Sequence, residues 1–330
     1  MITKATVVGA GAMGTVVSHL LASNNVHVAL FARRGEFVHE LLTLRENRRY
    51  LPGLRLPERV RPTADARAAL ANTELIISAV PCQHLEAVWG PIAGFAPRGV
   101  PTCSVTKGIE TATLRRPTEA LAALGLGPLA ALSGPSIAPE IARCLPATVV
   151  VASETPQVAE MAQESLSASY FRVYTSPDLV GVELAGALKN VIALAAGILD
   201  GLKAGDNAKA ALLTRGLVEI TRLGVAMGAD RATFAGLAGI GDLVTTCVSP
   251  IGRNRTAGER IARGATAEQV IARSPSVIEG IPTTRAALRL AARNDVEMPI
   301  TQAVAEVLFE GKEPLAAITE LMNRPPKPET

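Results

Sequence analysis

The chain has 330 residues, with 33 basic against 30 acidic side chains and a formal charge of +3. That near-neutral balance excludes a nucleic-acid or acidic-membrane binder working by bulk charge, and 48% hydrophobic with 19% charged residues excludes intrinsic disorder. Aromatics are only 3%, so the core must be aliphatic, and the length favours two domains.

The chain opens with no signal-peptide pattern and runs straight into a predicted strand over 5–8. Gly9-Ala-Gly-Ala-Met-Gly14 follows, then a helix over 15–23 and a second strand over 26–31. A GxGxxG run alone is weak, but strand before, helix after and strand again are the context a dinucleotide site requires. Gly9 permits the tight turn, Gly11 lets a pyrophosphate approach the backbone, and Gly14 allows close helix–strand packing. A plain glycine turn is the alternative. The second strand ends in Arg33-Arg34 where an NAD enzyme usually carries Asp or Glu. Guanidinium groups there suit a 2′-phosphate, so NADP is the expected cofactor, with Glu36 leaving NAD possible. A solvated arginine pair is the competing reading.

Further strands are expected over 75–80, 100–105, 129–132, 147–152 and 171–174, separated by helical or loop-like stretches such as 63–71 and 155–167. The alternation predicts an α/β fold with a doubly wound, mostly parallel sheet covered on both faces. Ser104-Val-Thr-Lys107-Gly108 and Leu132-Ser-Gly134-Pro-Ser136-Ile-Ala138 follow two of these strands. Ligands of such sheets bind at the carboxyl ends of strands. Lys107 is therefore a candidate for substrate phosphate, and Gly134 and Ser136 for hydrogen bonds to substrate. A loop lysine and a proline-fixed turn are the bland readings.

After Ser176-Pro177 the pattern becomes helical. This predicts a dinucleotide-binding domain over 1–177 and an all-helical domain over 178–330, with helices over 179–200, 207–227, 232–236, 253–263, 266–273, 280–293 and 299–309. The tail over 324–330 is expected to fray. Within the first of these helices Lys189 stands among small and apolar residues. A buried ammonium must be paired, neutral or facing a cleft, and desolvation would make it a usable proton donor or acceptor. The alternative is a packed stem with its head in solvent. Asp242, in Gly236-Leu-Ala-Gly-Ile-Gly-Asp242, is either the partner of Lys189 or a helix N-cap. Gly252-Arg253-Asn254-Arg255 suits a phosphate monoester, because guanidinium binds it bidentately, or is a solvated turn.

The four cysteines, Cys82, Cys103, Cys144 and Cys247, are scattered without a CxxC pair, and the four histidines form no HExxH or Cys/His cluster. No disulfide framework and no metal site are expected. The longest strongly apolar run, 191–199, is too short to span a bilayer, so no integral membrane segment is expected. A cytoplasmic, reducing location is the default.

Ten segments in order, GAGAMGT, NRRYLPG, SVTKGIE, LSGPSIAPE, GALKNVIALAAGI, NAKAALLTRGL, GLAGIGDLVTTC, GRNR, VIEGIPT and MPI, span nearly the whole chain. Together they resemble the NAD(P)-dependent glycerol-3-phosphate dehydrogenases. The resemblance implies reversible reduction of dihydroxyacetone phosphate to sn-glycerol 3-phosphate, supplying glycerophospholipid synthesis. It implies that Lys189 exchanges a proton with the carbinol oxygen; Asp242 and Asn190 are the residues expected to orient that lysine. Lys107, Gly134, Ser136, Asp242, Arg253 and Asn254 would surround the substrate. Ala12, Met13, Arg33, Arg34, Lys107, Ala138, Arg253, Val277 and Glu279 would contact the dinucleotide. Two positions depart from the family pattern. Phe31 stands where Trp is frequent. Gly252 stands where a serine usually touches the substrate phosphate, and a backbone N–H is expected to replace that hydroxyl. The change leaves open a paralogous reductase of a related phosphorylated or phosphonylated hydroxyketone. A ketopantoate-type reductase shares the architecture without the GDLVTTC and GRNR pair, and a non-catalytic NADP(H)-binding redox sensor is the alternative from a different class. The alanine-rich helical half could supply a homodimer surface.

Overall fold

The computed structural model describes residues 2–274, 276–326 and 328. Among them ten strands form: β1 (Lys4–Val8), β2 (His27–Phe31), β3 (Glu46–Asn47), β4 (Leu51–Arg55), β5 (Val60–Thr63), β6 (Leu75–Ser78), β7 (Thr102–Ser104), β8 (Leu129–Ser133), β9 (Ala147–Ala152) and β10 (Phe171–Ser176). Eight make one sheet in the order β10-β9-β8-β7-β6-β1-β2-β5. Neighbours are parallel except β8 and β9. The chain moves outward from β1 to β5 on one side, then returns and moves from β6 to β8 on the other. The reversal falls between β1 and β6, which is where an open parallel sheet leaves a crevice for ligands. Side chains alternate between the faces, as a strand demands. Val7, Leu30 and Ile77 enter one core, and Val8, Phe31 and Ile76 enter the other.

The predicted strands of the sheet form, and β5 is an addition. Its Val60-Arg61-Pro62-Thr63 contains a proline, which argues against a central strand but is tolerated at the edge, where β5 lies. Of the stretch 63–71, read as helical or loop-like, Ala66–Leu70 is the helix, with Asp65 accepting from the Ala68 N–H at 3.0 Å. The helix Gly35–Leu44 and the antiparallel ribbon of β3 and β4 are also additions.

Beyond β10 the described residues are helical. Asp178 accepts from the Gly181 N–H at 2.8 Å and caps the helix Leu179–Gly201. This helix has 23 residues and a mean hydropathy of 1.7, enough by length and composition to cross a membrane, so the apolar stretch is longer than 191–199. Yet 94% of its apolar window is buried inside the protein, and it is the axis of the helical half. The helices Asp206–Ala226, Arg253–Ala262 and Gly280–Arg293 pack around it, and it also touches β8. Its crossing with Arg253–Ala262 is the tightest in this half. A Cβ on Gly197 would lie 1.9 Å from the Arg255 carbonyl oxygen, and one on Gly258 would lie 2.1 Å from that of Leu194. The two helices therefore meet backbone to backbone, which only glycine permits. The tail expected to fray lies partly outside the described residues.

Candidate active site

A cleft of about 990 Å³ runs from the β1–β6 crevice to the helical half. Every candidate residue lines it except Gly14, Glu36, Gly134 and Arg255, and Arg255 pairs with Asp200 at 2.6 Å instead. At the crevice end Gly9 has φ +110°, and a Cβ there would lie 2.6 Å from the Ala79 carbonyl oxygen after β6. A Cβ on Gly14 would fall 1.8 Å from the Gly9 oxygen, so the helix Ala12–Ser23 rests directly on the turn. Gly11 has nothing within 4 Å of where its Cβ would be. The space above it is open, at the N-terminus of that helix, where an anion is favoured. These residues fit a dinucleotide pyrophosphate. Arg33 and Arg34 are exposed at the same end, past β2, and Ala12, Met13 and Ala138 line the wall.

At the other end Lys189, Lys107 and Asp242 converge. Lys189 is 4% exposed. Its Nζ donates to Asp242 Oδ1 at 2.8 Å and to the Thr246 hydroxyl. Lys107 Nζ donates to Asp242 Oδ2 at 2.6 Å, to the Gly134 carbonyl at 2.8 Å and to Ser136 Oγ at 3.2 Å. One carboxylate thus bridges two ammonium groups, one from each half of the chain. Asp242 is the first residue of the helix Asp242–Val248, and its side chain does not cap it, so of the two sequence readings the partner is realised. Burial pulls the Lys189 pKa down to about 8, with Asp242 opposing the fall. Burial also disfavours the Asp242 carboxylate, but Lys107 and Lys189 outweigh it and hold the carboxyl below its ordinary range.

Three expectations change at this end. Asn190 does not reach Lys189. Its Nδ2 faces the Lys107 carbonyl at 3.5 Å and the Gly186 carbonyl at 3.3 Å, and its Oδ1 accepts from Asn254 Nδ2 at 2.8 Å. The Gly252 N–H is not available to a ligand, because it donates to the Ser249 carbonyl at 3.1 Å. A Cβ on Gly252 would meet the Thr246 carbonyl oxygen at 2.9 Å, so this turn is shaped for glycine. The three donors of Lys107 are all engaged, which leaves it no free N–H for a phosphate.

Arg253 opens the ten-residue helix Arg253–Ala262 into the cleft, and its Nη1 donates to the Val277 carbonyl at 3.1 Å. The first N–H groups of such a helix lack intrahelical partners and attract anions. Glu279 accepts from the Cys82 N–H at 2.9 Å through Oε1, whereas its Oε2 is buried without a partner. Burial pushes this carboxyl up to about 7. Thr246 was not among the candidate residues. Its signal was its place four residues after Asp242, on the same helix face.

A doubly wound sheet with a glycine turn at its switch point, joined to a helical half that brings a buried lysine to the same cleft, defines a two-domain dinucleotide-dependent oxidoreductase. Comparison with known proteins gives the family. The NAD-dependent glycerol-3-phosphate dehydrogenase N-terminus matches residues 4–159, and the corresponding C-terminus matches residues 178–319. The chain belongs to the NAD(P)-dependent glycerol-3-phosphate dehydrogenase family. It is 48% identical to glycerol-3-phosphate dehydrogenase [NAD(P)+] of Frankia casuarinae, over 99% of this chain and 98% of the relative. With the protein of the same name from Chlorobium limicola it shares 46% identity, over 98% of each. The crystal structure of glycerol-3-phosphate dehydrogenase from Coxiella burnetii superposes with a TM-score of 0.93 at 36% identity, covering 98% of this chain and 99% of that one. A ketopantoate reductase from Ralstonia eutropha, at 15% identity and a TM-score of 0.58 over 97% and 100% of the two chains, shares the fold only.

Proposed function

We propose that this protein catalyses the reversible reduction of dihydroxyacetone phosphate to sn-glycerol 3-phosphate, with residues 1–177 holding the cofactor and 178–330 supplying the proton-transfer group. The observation that carries the reading is the Lys189–Asp242–Lys107 bridge, placed where the dinucleotide crevice meets the Arg253 helix end. Bound NADPH supplies the hydride. Arg253 and the N–H groups of its helix take the substrate phosphate, a task for which Lys107 has no free donor. Lys189 holds a proton at the ketone oxygen and gives it up as negative charge develops there. Asp242 and Thr246 fix the direction of its Nζ. In the oxidative direction the same amine accepts the proton. Arg33 and Arg34 favour the 2′-phosphate of NADPH over NADH. A cytoplasmic location belongs to the same reading.

The test is absorbance at the reduced-nicotinamide band with dihydroxyacetone phosphate, using NADPH and NADH in parallel. NADPH should be oxidised faster, and the double variant Arg33→Ala/Arg34→Ala should lose that preference through a higher KM for NADPH. No oxidation of either cofactor by protein that binds NADPH would overturn the reading.

The pH dependence has a definite sign. Reduction needs Lys189 protonated, so kcat/KM for dihydroxyacetone phosphate should fall as pH rises through about 8. Oxidation needs the amine neutral, so kcat/KM for glycerol 3-phosphate should rise through the same region. Two profiles that move together would exclude Lys189 as the shared acid and base.

A further inference from the structure

The segment Asn47-Arg-Arg-Tyr-Leu-Pro-Gly53 belongs to the ribbon of β3 and β4 and lies far in sequence from the glycine turn, yet its first residue is locked into that turn. Asn47 is fully buried. Its Nδ2 donates to the Ala10 carbonyl at 3.0 Å and to Thr15 Oγ1 at 2.7 Å. Thr15 in turn donates from Oγ1 to the Gly11 carbonyl at 2.8 Å. Two successive carbonyls of the glycine turn are therefore held from behind, one directly and one through a hydroxyl relay. A trans peptide points its C=O and N–H in opposite directions. Fixing the Ala10 carbonyl fixes the aim of the Gly11 N–H, and fixing the Gly11 carbonyl fixes that of Ala12. Both residues line the cleft.

The same side chain works in a second direction. Asn47 Oδ1 accepts from the Tyr50 N–H at 3.1 Å. The Tyr50 ring stands edge-on to Phe37, with centroids 5.7 Å apart and planes at 89°. Phe37 and Tyr50 both line the cleft beside Arg33 and Arg34. Asn47 thus ties the wall at the adenosine end to the turn at the pyrophosphate.

We propose that Asn47 is a positioning residue for the dinucleotide, acting through the carbonyls of Ala10 and Gly11 and the backbone of Tyr50 without touching the cofactor. This inference rests on the reading of the crevice as a dinucleotide site and adds a residue 33 positions beyond the glycine run that aims its amides. It predicts a defect specific to the cofactor. Removing a buried partner leaves its mates unsatisfied, so Asn47→Ala should raise the Kd and KM for NADPH at least about tenfold. The KM for dihydroxyacetone phosphate at saturating NADPH should stay close to wild type. Asn47→Asp keeps the acceptor for Tyr50 but loses both donors and adds a negative charge behind the turn, so it should be at least as impaired.

The experiment titrates NADPH by its fluorescence against wild type, Asn47→Ala, Asn47→Asp and Thr15→Val, with circular dichroism and melting as controls, followed by steady-state kinetics. Thr15→Val breaks only the relay and should give a smaller loss of the same kind. If Asn47→Ala does not fold, Thr15→Val still reads the relay, and unchanged NADPH affinity in that variant overturns the inference. So does an Asn47→Ala protein that is folded and binds NADPH like wild type, or one whose two KM values worsen equally. Wild type that binds NADPH without reducing dihydroxyacetone phosphate would overturn the proposed reaction, while the binding titrations would still decide the role of Asn47.

Discussion

Replacing Lys189 with alanine should lower kcat about a thousandfold while leaving NADPH affinity close to that of wild type. The size follows from the role, since a positioned general acid contributes roughly 10²- to 10⁴-fold. Selectivity follows from the surroundings. Lys189 reaches the cleft from the middle of Leu179–Gly201, away from the glycine turn. Its removal does not strand Asp242, because Lys107 still holds that carboxylate at 2.6 Å. The variant should therefore fold, with a melting temperature near that of wild type, and the defect should be chemical. Single-turnover reduction with saturating NADPH separates the chemical step from binding. Turnover within tenfold of wild type would remove Lys189 from the mechanism.

Asp242→Asn should impair both stability and chemistry. Each carboxylate oxygen faces an ammonium group, at 2.8 Å from Lys189 and 2.6 Å from Lys107. An amide has one acceptor, and its NH2 would point at the other lysine. Breaking a buried pair by removing one partner costs about 3–5 kcal/mol, because a charge is left uncompensated. Asp242 has a folded pKa below its unfolded value, so the stability it adds is present above the unfolded pKa and is lost as pH falls through the folded one. The gap in denaturation midpoint between wild type and variant should thus be widest at neutral pH and close in acid. Asp242 is also the group that opposes the fall of the Lys189 pKa. Without it the pKa drops below about 8, and the reductive kcat/KM profile moves to lower pH. A variant with an unshifted profile would show that the carboxylate does not govern the lysine.

Lys189 stood out in the sequence because an ammonium amid alanine, valine and leucine has few ways to exist, and the structure supplies the pairing that such a position demands. The helices around it were legible because their apolar residues recur at helical spacing between glycine, proline and asparagine, and Gly280–Arg293 and Pro299–Phe309 form at their expected bounds. Asp242 was legible only as an alternative, since an aspartate after glycine serves equally as a cap. Long-range pairing decides between the two, and one sequence does not contain it. Asn190 was misplaced because its neighbour in sequence is Lys189, whereas one helical residue rotates the side chain by about 100° to another partner. β5 was hidden by Pro62, whose tolerance depends on lying at the sheet edge. Asn47 entered only within the segment NRRYLPG, with no role attached, because its partners Ala10 and Thr15 lie far away in the sequence.

The glycine contact between Leu179–Gly201 and Arg253–Ala262 has a consequence for selectivity. The proposed proton donor, Lys189, rides on one of these helices, and the proposed phosphate anchor, Arg253, begins the other. Their separation is set by main chain against main chain, at Gly197 and Gly258, with no side chain between them to adjust. The crossing is thus a ruler. On the proposed roles, it holds the main chain that carries Lys189 at a set distance from the main chain that carries Arg253, so only their side chains are left to adapt to the length of a substrate.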